Sequence, residues 1–182
     1  MPTSPPERIG FDDLVLRRER IGDAALVAGA VEANLDHLRP WMPWAKPDAA
    51  TTPAQRERLA KVEQWWEANS DYSYVLLDAT EANLLGIFGL HRRIGPGAIE
   101  LGYWLTREAV GRGRGTAAAG ALTAAVLELD DVSRVEIHCD EANERSQLIA
   151  RRLGYQLDRV EDDEIEAPGE VGRSMIWVFR HH

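Results

Sequence analysis

The sequence feature that most constrains the fold is the segment Gly111–Gly115, in which glycine stands at every second position and leads into the alanine-rich stretch Thr116–Val126. A glycine-rich loop that opens into a helix presents unpaired backbone N–H groups, and the helix dipole adds partial positive charge there. Such helix starts bind phosphate groups. Arg112 and Arg114, between the glycines, add formal positive charge. We therefore expect an anionic ligand at this loop.

Two familiar nucleotide motifs do not fit this loop. A dinucleotide fingerprint needs a third glycine where Thr116 stands, and it normally opens the first strand-helix-strand unit, whereas this loop lies past the middle of the chain. A Walker loop ends in Gly-Lys-Ser or Gly-Lys-Thr, and Gly111–Thr116 contains no lysine. Nucleotide binding therefore stays only as an alternative.

Length and charge limit the classes of protein that fit. The 182 residues, 45% of them hydrophobic, suffice for one sizeable core and are few for two ordinary domains. We therefore expect residues 1–182 to form a single domain. The formal net charge of −9 disfavours general binding to nucleic acid or to an anionic membrane. It favours a basic or amine-bearing partner.

The sequence also predicts a cytoplasmic location. Cys139 is the only cysteine and forms no internal disulfide, and the start at Met1 lacks the apolar core of a signal peptide. No apolar run approaches the roughly 18 to 20 residues that cross a bilayer. His181 and His182 are either native or the start of a purification tag, so no function is assigned to them.

Hydrophobic periodicity predicts an α/β (α+β) fold with seven strands and four helices. The predicted strands are Leu14–Arg18, Tyr72–Leu77, Leu84–Arg92, Ala98–Leu105, Arg134–Cys139, Tyr155–Val160 and Ser174–Phe179. The predicted helices are Ala24–Leu38 with Asp23 as N-cap, Thr52–Asn69, Gly113–Leu129 and Asn143–Leu153. A meander combined with strand-helix crossovers implies a mixed sheet covered on both faces, with a crevice where the pairing pattern changes. The acidic run Glu161–Glu164 is predicted to be a solvated hairpin loop.

Four segments stand in a fixed order: Leu38–Trp44, Ile99–Leu105, Gly111–Thr116, and Asn143–Ser146 followed by Leu153–Tyr155. Together they resemble the GNAT superfamily of acetyl-CoA-dependent N-acetyltransferases, in the branch of RimJ/RimL-type ribosomal-protein acetyltransferases. The resemblance spans most of the chain. It implies a mixed, mostly antiparallel, twisted sheet of about seven strands flanked by about four helices. It also implies that an acetyl group passes from acetyl-CoA to a primary amine by direct attack in a ternary complex, and that the protein is a homodimer.

The resemblance assigns a cofactor site. The family's loop has Gln or Arg, two residues, Gly, one residue, then Gly or Ala; Gly113 and Gly115 match, whereas Val110 stands where the polar residue is usual. Backbone N–H groups hold most of a pyrophosphate, so binding is expected to survive this departure. The strand ending at Leu105 is implied to splay from Arg134–Cys139, which admits the pantetheine arm and places an N–H near Leu105 or Thr106 against the thioester oxygen. The implied cofactor contacts are Leu105, Thr106, Val110, Gly111, Arg112, Gly113, Arg114, Gly115, Thr116, Asn143 and Ser146.

Catalysis requires a base for the acceptor amine and a proton donor for the departing thiolate. Glu100 is the best-placed carboxylate for the base, because it shares a strand face with Gly102 and Trp104. The alternative is that Glu100 is a salt-bridged structural residue. Many GNAT enzymes have a tyrosine as proton donor where this chain has Ala150, so the resemblance moves cofactor contact and proton donation to Ser146. Alternatively, Ser146 only makes local hydrogen bonds.

Aromatic and histidine residues complete the candidate set. Trp41 and Trp44 are expected to line the acceptor pocket, whereas Trp65 and Trp66 are at least as well explained as core anchors. His37 and His91 are interpreted as structural, although His91 precedes two arginines that suit an anionic group. No metal is expected, because the adjacent residues His138–Asp140 alternate between two faces of a strand.

The substrate and the class of activity stay open in the sequence. The acceptor is a protein N-terminus, a small amine, an antibiotic or a lysine, because a fold does not fix the substrate. The donor is acetyl-CoA or a longer acyl-CoA. The departures at Val110 and Ala150 favour a rival interpretation, in which the protein binds acyl-CoA without catalysis.

Overall fold

A computed structural model describes residues 4–180, which form one eight-stranded sheet with four α-helices. The strands are β1 (Arg8–Phe11), β2 (Leu14–Arg18), β3 (Asp71–Asp78), β4 (Leu84–His91), β5 (Ala98–Leu105), β6 (Arg134–Asp140), β7 (Gln156–Asp162) and β8 (Arg173–Arg180). The helices are α1 (Ala24–Leu38), α2 (Thr52–Glu67), α3 (Arg114–Leu127) and α4 (Glu144–Arg152). Met1, His181 and His182, which entered the sequence argument, lie outside the described residues.

The sheet has the order β1-β2-β3-β4-β5-β6-β8-β7. Within residues 4–180, neighbouring strands pair antiparallel except β5 and β6, which are parallel. That parallel ladder joins only Ala98–Glu100 to Arg134–Glu136. Beyond Glu100 the two strands separate, which opens a gap in the middle of the sheet. The splay that the resemblance implied is therefore present.

Helices cover both faces of the sheet. On one face, α3 buries Ala118, Ala119 and Leu122 against the sheet residues Phe88 and Leu101. The small side chains of α3 let the helix approach the strands closely. On the other face, α1 buries residues against Val75, Ile87 and Trp104, its own contribution being Val27 and Val31. We call these the α3 face and the α1 face.

The expected mixed α/β sheet is confirmed, and the strand count differs by one. The additional strand, β1, pairs with β2 through Arg8↔Arg17 to Phe11↔Leu14. It has four residues and none of them is buried. A short edge strand with so little apolar surface gives a weak periodic signal, which explains why the sequence did not predict it.

Asp23 is the N-cap residue of α1, as predicted, but its side chain makes no capping hydrogen bond to α1. It accepts a hydrogen bond from the Arg20 N–H at 2.8 Å and so closes the preceding turn of 3-10 helix, Ile21–Asp23. The prediction of a hairpin loop over Glu161–Glu164 was wrong. Within the acidic run, Glu161 and Asp162 belong to β7. Their cross-strand pairing with β8 overrides the loop preference of their charges, and only the last two residues of the run lie outside the strand.

Candidate functional site

A cavity of about 1370 Å³ occupies the gap between β5 and β6. Side chains from both faces of β5 line it: Leu101 and Tyr103 point to the α3 face, and Trp104 points to the α1 face. The cavity therefore passes through the sheet. A ligand that enters on one face can meet a second ligand that enters on the other.

The edge of β5 offers free backbone groups to this gap. The Thr106 N–H donates to the Leu85 carbonyl at 2.8 Å, and hydrogen bonding alternates along an antiparallel pair. The N–H groups of Leu101, Tyr103 and Leu105 consequently face away from β4. That of Leu101 is used by the ladder with β6, which ends at the Glu100–Glu136 pair, whereas those of Tyr103 and Leu105 face the gap. Of the two donors predicted to face a thioester oxygen, the Leu105 N–H is available and the Thr106 N–H is already paired.

The glycine-rich loop borders the gap on the α3 face. Gly111 and Gly113 have φ values of 79° and 75°, a conformation that glycine adopts without strain, and Gly113 is the N-cap of α3. Gly115 is buried, and a Cβ added there would lie 2.7 Å from a methyl group of Leu105. Close packing thus holds the helix start against the end of β5. Val110 and Thr116 also line the cavity.

The two arginines of the loop lie elsewhere. Arg112 and Arg114 line a smaller cavity of about 430 Å³, together with Asp12 and Asp13. Neither arginine lines the larger cavity. The two arginines can therefore contact the same anion as the glycines only if the ligand extends out of the gap.

The start of α4 faces the loop across the gap. Asn143 caps the helix by accepting a hydrogen bond from the Ser146 N–H at 3.2 Å. The Ser146 hydroxyl lies 2.9 Å from the Tyr103 hydroxyl. Burial raises the pKa of Tyr103 above its usual value, although the hydrogen bond with Ser146 opposes the shift. These hydroxyl groups form a hydrogen-bonded pair on the cavity wall, and Tyr103 is a member that sequence reasoning missed.

Glu100 is held in an ion pair rather than directed into the cavity. Its carboxylate accepts two hydrogen bonds from the Arg93 guanidinium, at 2.8 and 2.7 Å, and it does not line the cavity. Burial by itself would raise the pKa of Glu100, but Arg93, helped by the nearby histidines, brings the pKa below its usual value. This geometry favours the structural alternative for Glu100.

The α1 face of the cavity has an open floor. Gly89 of β4 pairs directly with Gly102 of β5, and both line the cavity. Trp104 follows on β5, and its ring centroid lies 6.0 Å from that of Trp44. Trp41 lines the same wall. The floor and these indoles make an aromatic trough on the side opposite α3.

The two tryptophans of α2 differ from each other. Trp66 is 5% exposed and packs edge-on against Tyr72 and Tyr74, so its interpretation as a core residue is confirmed. Trp65 is 41% exposed and lines the cavity, so it is not a core residue and agrees with the pocket-lining alternative that was left open for it. The two are adjacent on a helix and therefore point in directions about 100° apart.

His91, for which a structural role and an anionic partner were both left open, lines the cavity. The residues Asp71, His91, Glu100 and Glu136 stand directly opposite one another across β3, β4, β5 and β6. His91 Nδ1 lies 2.5 Å from Asp71 Oδ1, and both residues line the cavity. Sequence reasoning missed this pair because the two residues are 20 positions apart and only the strand register joins them.

His37 also lines the cavity. Burial lowers the pKa of His37 below its usual value, against a smaller opposing effect of a hydrogen bond with the Leu105 backbone. The side chain is thus held neutral near the open edge of β5.

Acidic side chains of one loop lie beside the trough. The loop between β7 and β8 contributes Asp163, Glu164, Glu166 and Glu170 to the cavity lining. The Gly169 N–H donates to the Pro40 carbonyl at 2.8 Å, which fixes this loop beside the segment that holds Trp41. These carboxylates, which we call the acidic mouth of the trough, add negative charge that favours a cationic ligand there.

Neither a metal cluster nor a membrane span is present in residues 4–180. That part of the chain contains no group of three or more His, Cys, Asp or Glu side chains arranged to hold a metal ion. His138 instead hydrogen-bonds to Glu136 at 2.8 Å. Among the described helices, none combines the length and the apolar character needed to span a bilayer.

Comparison with known proteins gives consistent matches. Residues 13–156 match the family described as acetyltransferase (GNAT) domain. A Bacillus subtilis protein provisionally named ribosomal N-acetyltransferase YdaF is 30% identical over 142 residues, which cover 73% of this chain and 72% of that protein. The ribosomal-protein-S5-alanine acetyltransferase of Vibrio fischeri has a TM-score of 0.86 at 20% identity, covering 95% of this chain and 96% of its own. RimL, a ribosomal L7/L12 alpha-N-protein acetyltransferase solved with coenzyme A, has a TM-score of 0.85 at 20% identity, covering 96% and 98%.

Proposed function

Because the chain belongs to the GNAT family of acetyltransferases, we propose that its acceptor is the N-terminal α-amine of a protein. The resemblance drawn from the four sequence segments is confirmed by the family match. The chain is an acetyl-CoA-dependent N-acetyltransferase. A ribosomal protein is the class of acceptor that the named relatives favour, and we propose that the chain acts as one domain.

The observation that supports this proposal most is the cavity that crosses the sheet between β5 and β6. Acetyl-CoA would lie on the α3 face, with its pyrophosphate at the N–H groups of the loop and of the start of α3. Its pantetheine arm would pair with the free edge of β5, where the Leu105 N–H would donate to the thioester oxygen. The residues proposed to contact acetyl-CoA are Leu105, Val110, Gly111, Gly113, Gly115, Thr116, Asn143 and Ser146.

The reaction would proceed by direct attack of the amine nitrogen on the thioester carbon. An N–C bond forms, the C–S bond breaks, and the CoA thiolate receives a proton. We propose that Ser146, hydrogen-bonded to Tyr103 at 2.9 Å, supplies that proton or contacts the sulfur. The hydrogen-bonded pair can take up the donated proton again from solvent after the product leaves.

The acceptor would approach from the α1 face. The glycine floor and the indoles of Trp44 and Trp104 leave a trough for an extended chain end. The acidic mouth, with Glu164 and Glu166 among its side chains, favours a peptide with basic residues near its terminus. These features support a protein terminus above an uncharged small amine.

The test measures release of free CoA thiol from acetyl-CoA in the presence of basic peptides, which are used in matched pairs. The two peptides of a pair have the same sequence and the same lysine side chains, but the α-amine is free in one and blocked in the other. We expect turnover only with the free α-amine and reduced turnover in Ser146→Ala. Equal turnover with the blocked peptide would assign lysine as the acceptor. Binding of acetyl-CoA without thiol release for any amine would instead support the non-catalytic alternative.

A further inference from the structure

We propose that His91 is the general base of acetyl transfer, accepting the proton of the acceptor amine at Nε2 while Asp71 holds Nδ1. This inference rests on the proposed function and assigns a residue in its acceptor half. An incoming α-amine is largely protonated at neutral pH, since its ordinary pKa is about 7.7 to 8.0. It must lose a proton before or during attack, so a base beside the trough is required.

The contact with Asp71 prepares His91 for this role. His91 Nδ1 lies 2.5 Å from Asp71 Oδ1, on the directly paired residue of the neighbouring strand. A carboxylate accepts hydrogen bonds and does not donate them, so Nδ1 carries the hydrogen. Nε2 then keeps its lone pair, because a neutral imidazole has one N–H. The His91 side chain is 29% exposed and lines the cavity.

Two glycines leave the space that the His91 ring occupies. A Cβ added at Gly89 would lie 2.7 Å from His91 Nε2, and one added at Gly102 would lie 3.8 Å from it. The ring therefore extends over the glycine floor, with Nε2 above Gly89 and within contact distance of the space beside Gly102. Gly102 precedes Tyr103, whose N–H group faces the gap. Nε2 is consequently beside the stretch of β5 where the pantetheine arm is proposed to pair.

Glu100 is less suited to accept this proton. Both of its oxygens are hydrogen-bonded by Arg93, and it lies outside the cavity lining. A base that is already paired with a guanidinium gains little from taking a proton. Within the row Asp71, His91, Glu100 and Glu136, Asp71 thus orients the base, whereas Glu100 is paired with Arg93.

Every proton and electron pair of the transfer has a destination. The first ammonium proton passes to His91 Nε2, the freed nitrogen pair forms the N–C bond, and the C–S electrons leave with the CoA thiolate. The nitrogen loses its second proton to solvent as the amide forms, the thiolate takes a proton from the Ser146–Tyr103 pair, and solvent returns one proton to that pair. His91 releases its own proton to solvent, so acetyl-CoA and an ammonium give an amide, free CoA and one proton.

The test compares kcat/KM for the α-amine peptide as a function of pH. The titratable and charged groups around His91 are Asp71 on β3, Glu100 on β5 with Arg93, Glu136 and His138 on β6, and Arg58 of α2 on the same cavity wall. We expect His91→Gln to lower kcat/KM about 100-fold and to remove the acidic limb of the profile, with the Kd for acetyl-CoA unchanged. Asp71→Asn should lower kcat/KM by about tenfold or more, because an amide at this position no longer keeps the hydrogen of the His91 ring on Nδ1. Exogenous imidazole should restore part of the rate in His91→Ala.

The controls separate this inference from the proposed function. Asp158→Asn, on the exposed strand β7 and outside the cavity lining, should behave as the unaltered protein. Retention of the acidic limb in His91→Gln, with its loss in Glu100→Gln, would overturn the inference and leave the acetyltransferase intact. The inference is also overturned if His91→Gln keeps its rate within threefold. Absence of turnover in the unaltered protein would overturn the proposed function instead.

Discussion

The two halves of the cavity are built from different parts of the chain. The half on the α3 face consists mainly of backbone: the loop Gly111–Thr116, the starts of α3 and α4, and the free edge of β5. The half on the α1 face consists of side chains from separate strands, such as Asp71 and His91, around a glycine floor. The first half has the features of a shared cofactor site, and the second has those of a site for a particular acceptor.

This difference predicts how each half responds to substitution. A backbone site depends on φ and ψ values, so it is sensitive to the glycines and tolerant of its side chains. A side-chain site depends on strand register and on the volume of the residues that line it. Changes in the first half should therefore alter affinity for acetyl-CoA, and changes in the second should alter use of the amine. Four substitutions test the separation, in order of decreasing effect.

Gly113→Val should have the largest effect. Gly113 has a φ of 75°, which a β-branched residue adopts at a cost of order 1 to 3 kcal/mol. No atom lies within 4 Å of the added Cβ, so the damage is to the loop backbone rather than to core packing. We expect the affinity for acetyl-CoA, measured by calorimetry, to fall about 10- to 100-fold.

Gly95→Val is the matched control for Gly113→Val. Gly95 has a φ of 104° and also has no atom within 4 Å of an added Cβ, but it lies outside the cavity lining. The Gly95→Val variant should lose about as much free energy of unfolding as Gly113→Val and should keep its affinity for acetyl-CoA. Equal loss of affinity in both variants would mean that strain acts through the whole fold, and the loop would lose its assignment.

Gly102→Val should have the next largest effect and act on the other half. Gly102 has an ordinary strand φ, and an added Cβ meets only His91 Nε2 at 3.8 Å. The valine would fill the floor of the trough without straining β5. We expect kcat/KM for the peptide to fall about 30-fold, the cost of filling a shaped pocket being of order 2 kcal/mol. The Kd for acetyl-CoA should change less than twofold. Gly10→Val on the edge strand β1 is the control.

Trp44→Ala should raise the KM for the peptide about tenfold and leave kcat nearly unchanged. Trp44 is 39% exposed and stands over Trp104, so its removal takes away contact area without opening the core. Trp44→Phe should restore about half of the loss in binding free energy. A fall in kcat with constant KM would instead place Trp44 close to the reacting atoms.

The sequence predicted the first half of the cavity far better than the second. Gly113, Gly115 and Asn143 stand in short local segments, where the spacing itself indicates a helix start. The pair Asp71 and His91 depends on the register of β3 against β4, which no local pattern specifies.

Glu100 shows the same limit. Its strand face was predicted correctly from alternation along β5. Its partner Arg93 was not, because Arg93 follows the end of β4 and reaches Glu100 only through the turn that joins the two strands. The α/β class and most elements followed from periodicity, whereas β1 was missed because it buries no residue.

The acidic mouth should give the smallest effect and the finest distinction between acceptors. Glu164→Gln combined with Glu166→Gln removes two exposed charges, and each exposed charge pair is worth about 0.2 to 1 kcal/mol. We expect kcat/KM for a basic peptide to fall about two- to fivefold at low salt, and the difference to shrink as ionic strength rises. A neutral peptide should be unaffected, as should the exposed control Glu128→Gln at the far end of α3. If kcat/KM for the basic peptide is unchanged at low salt, the trough itself selects the acceptor. The difference between the two halves of the cavity then depends on shape rather than on charge.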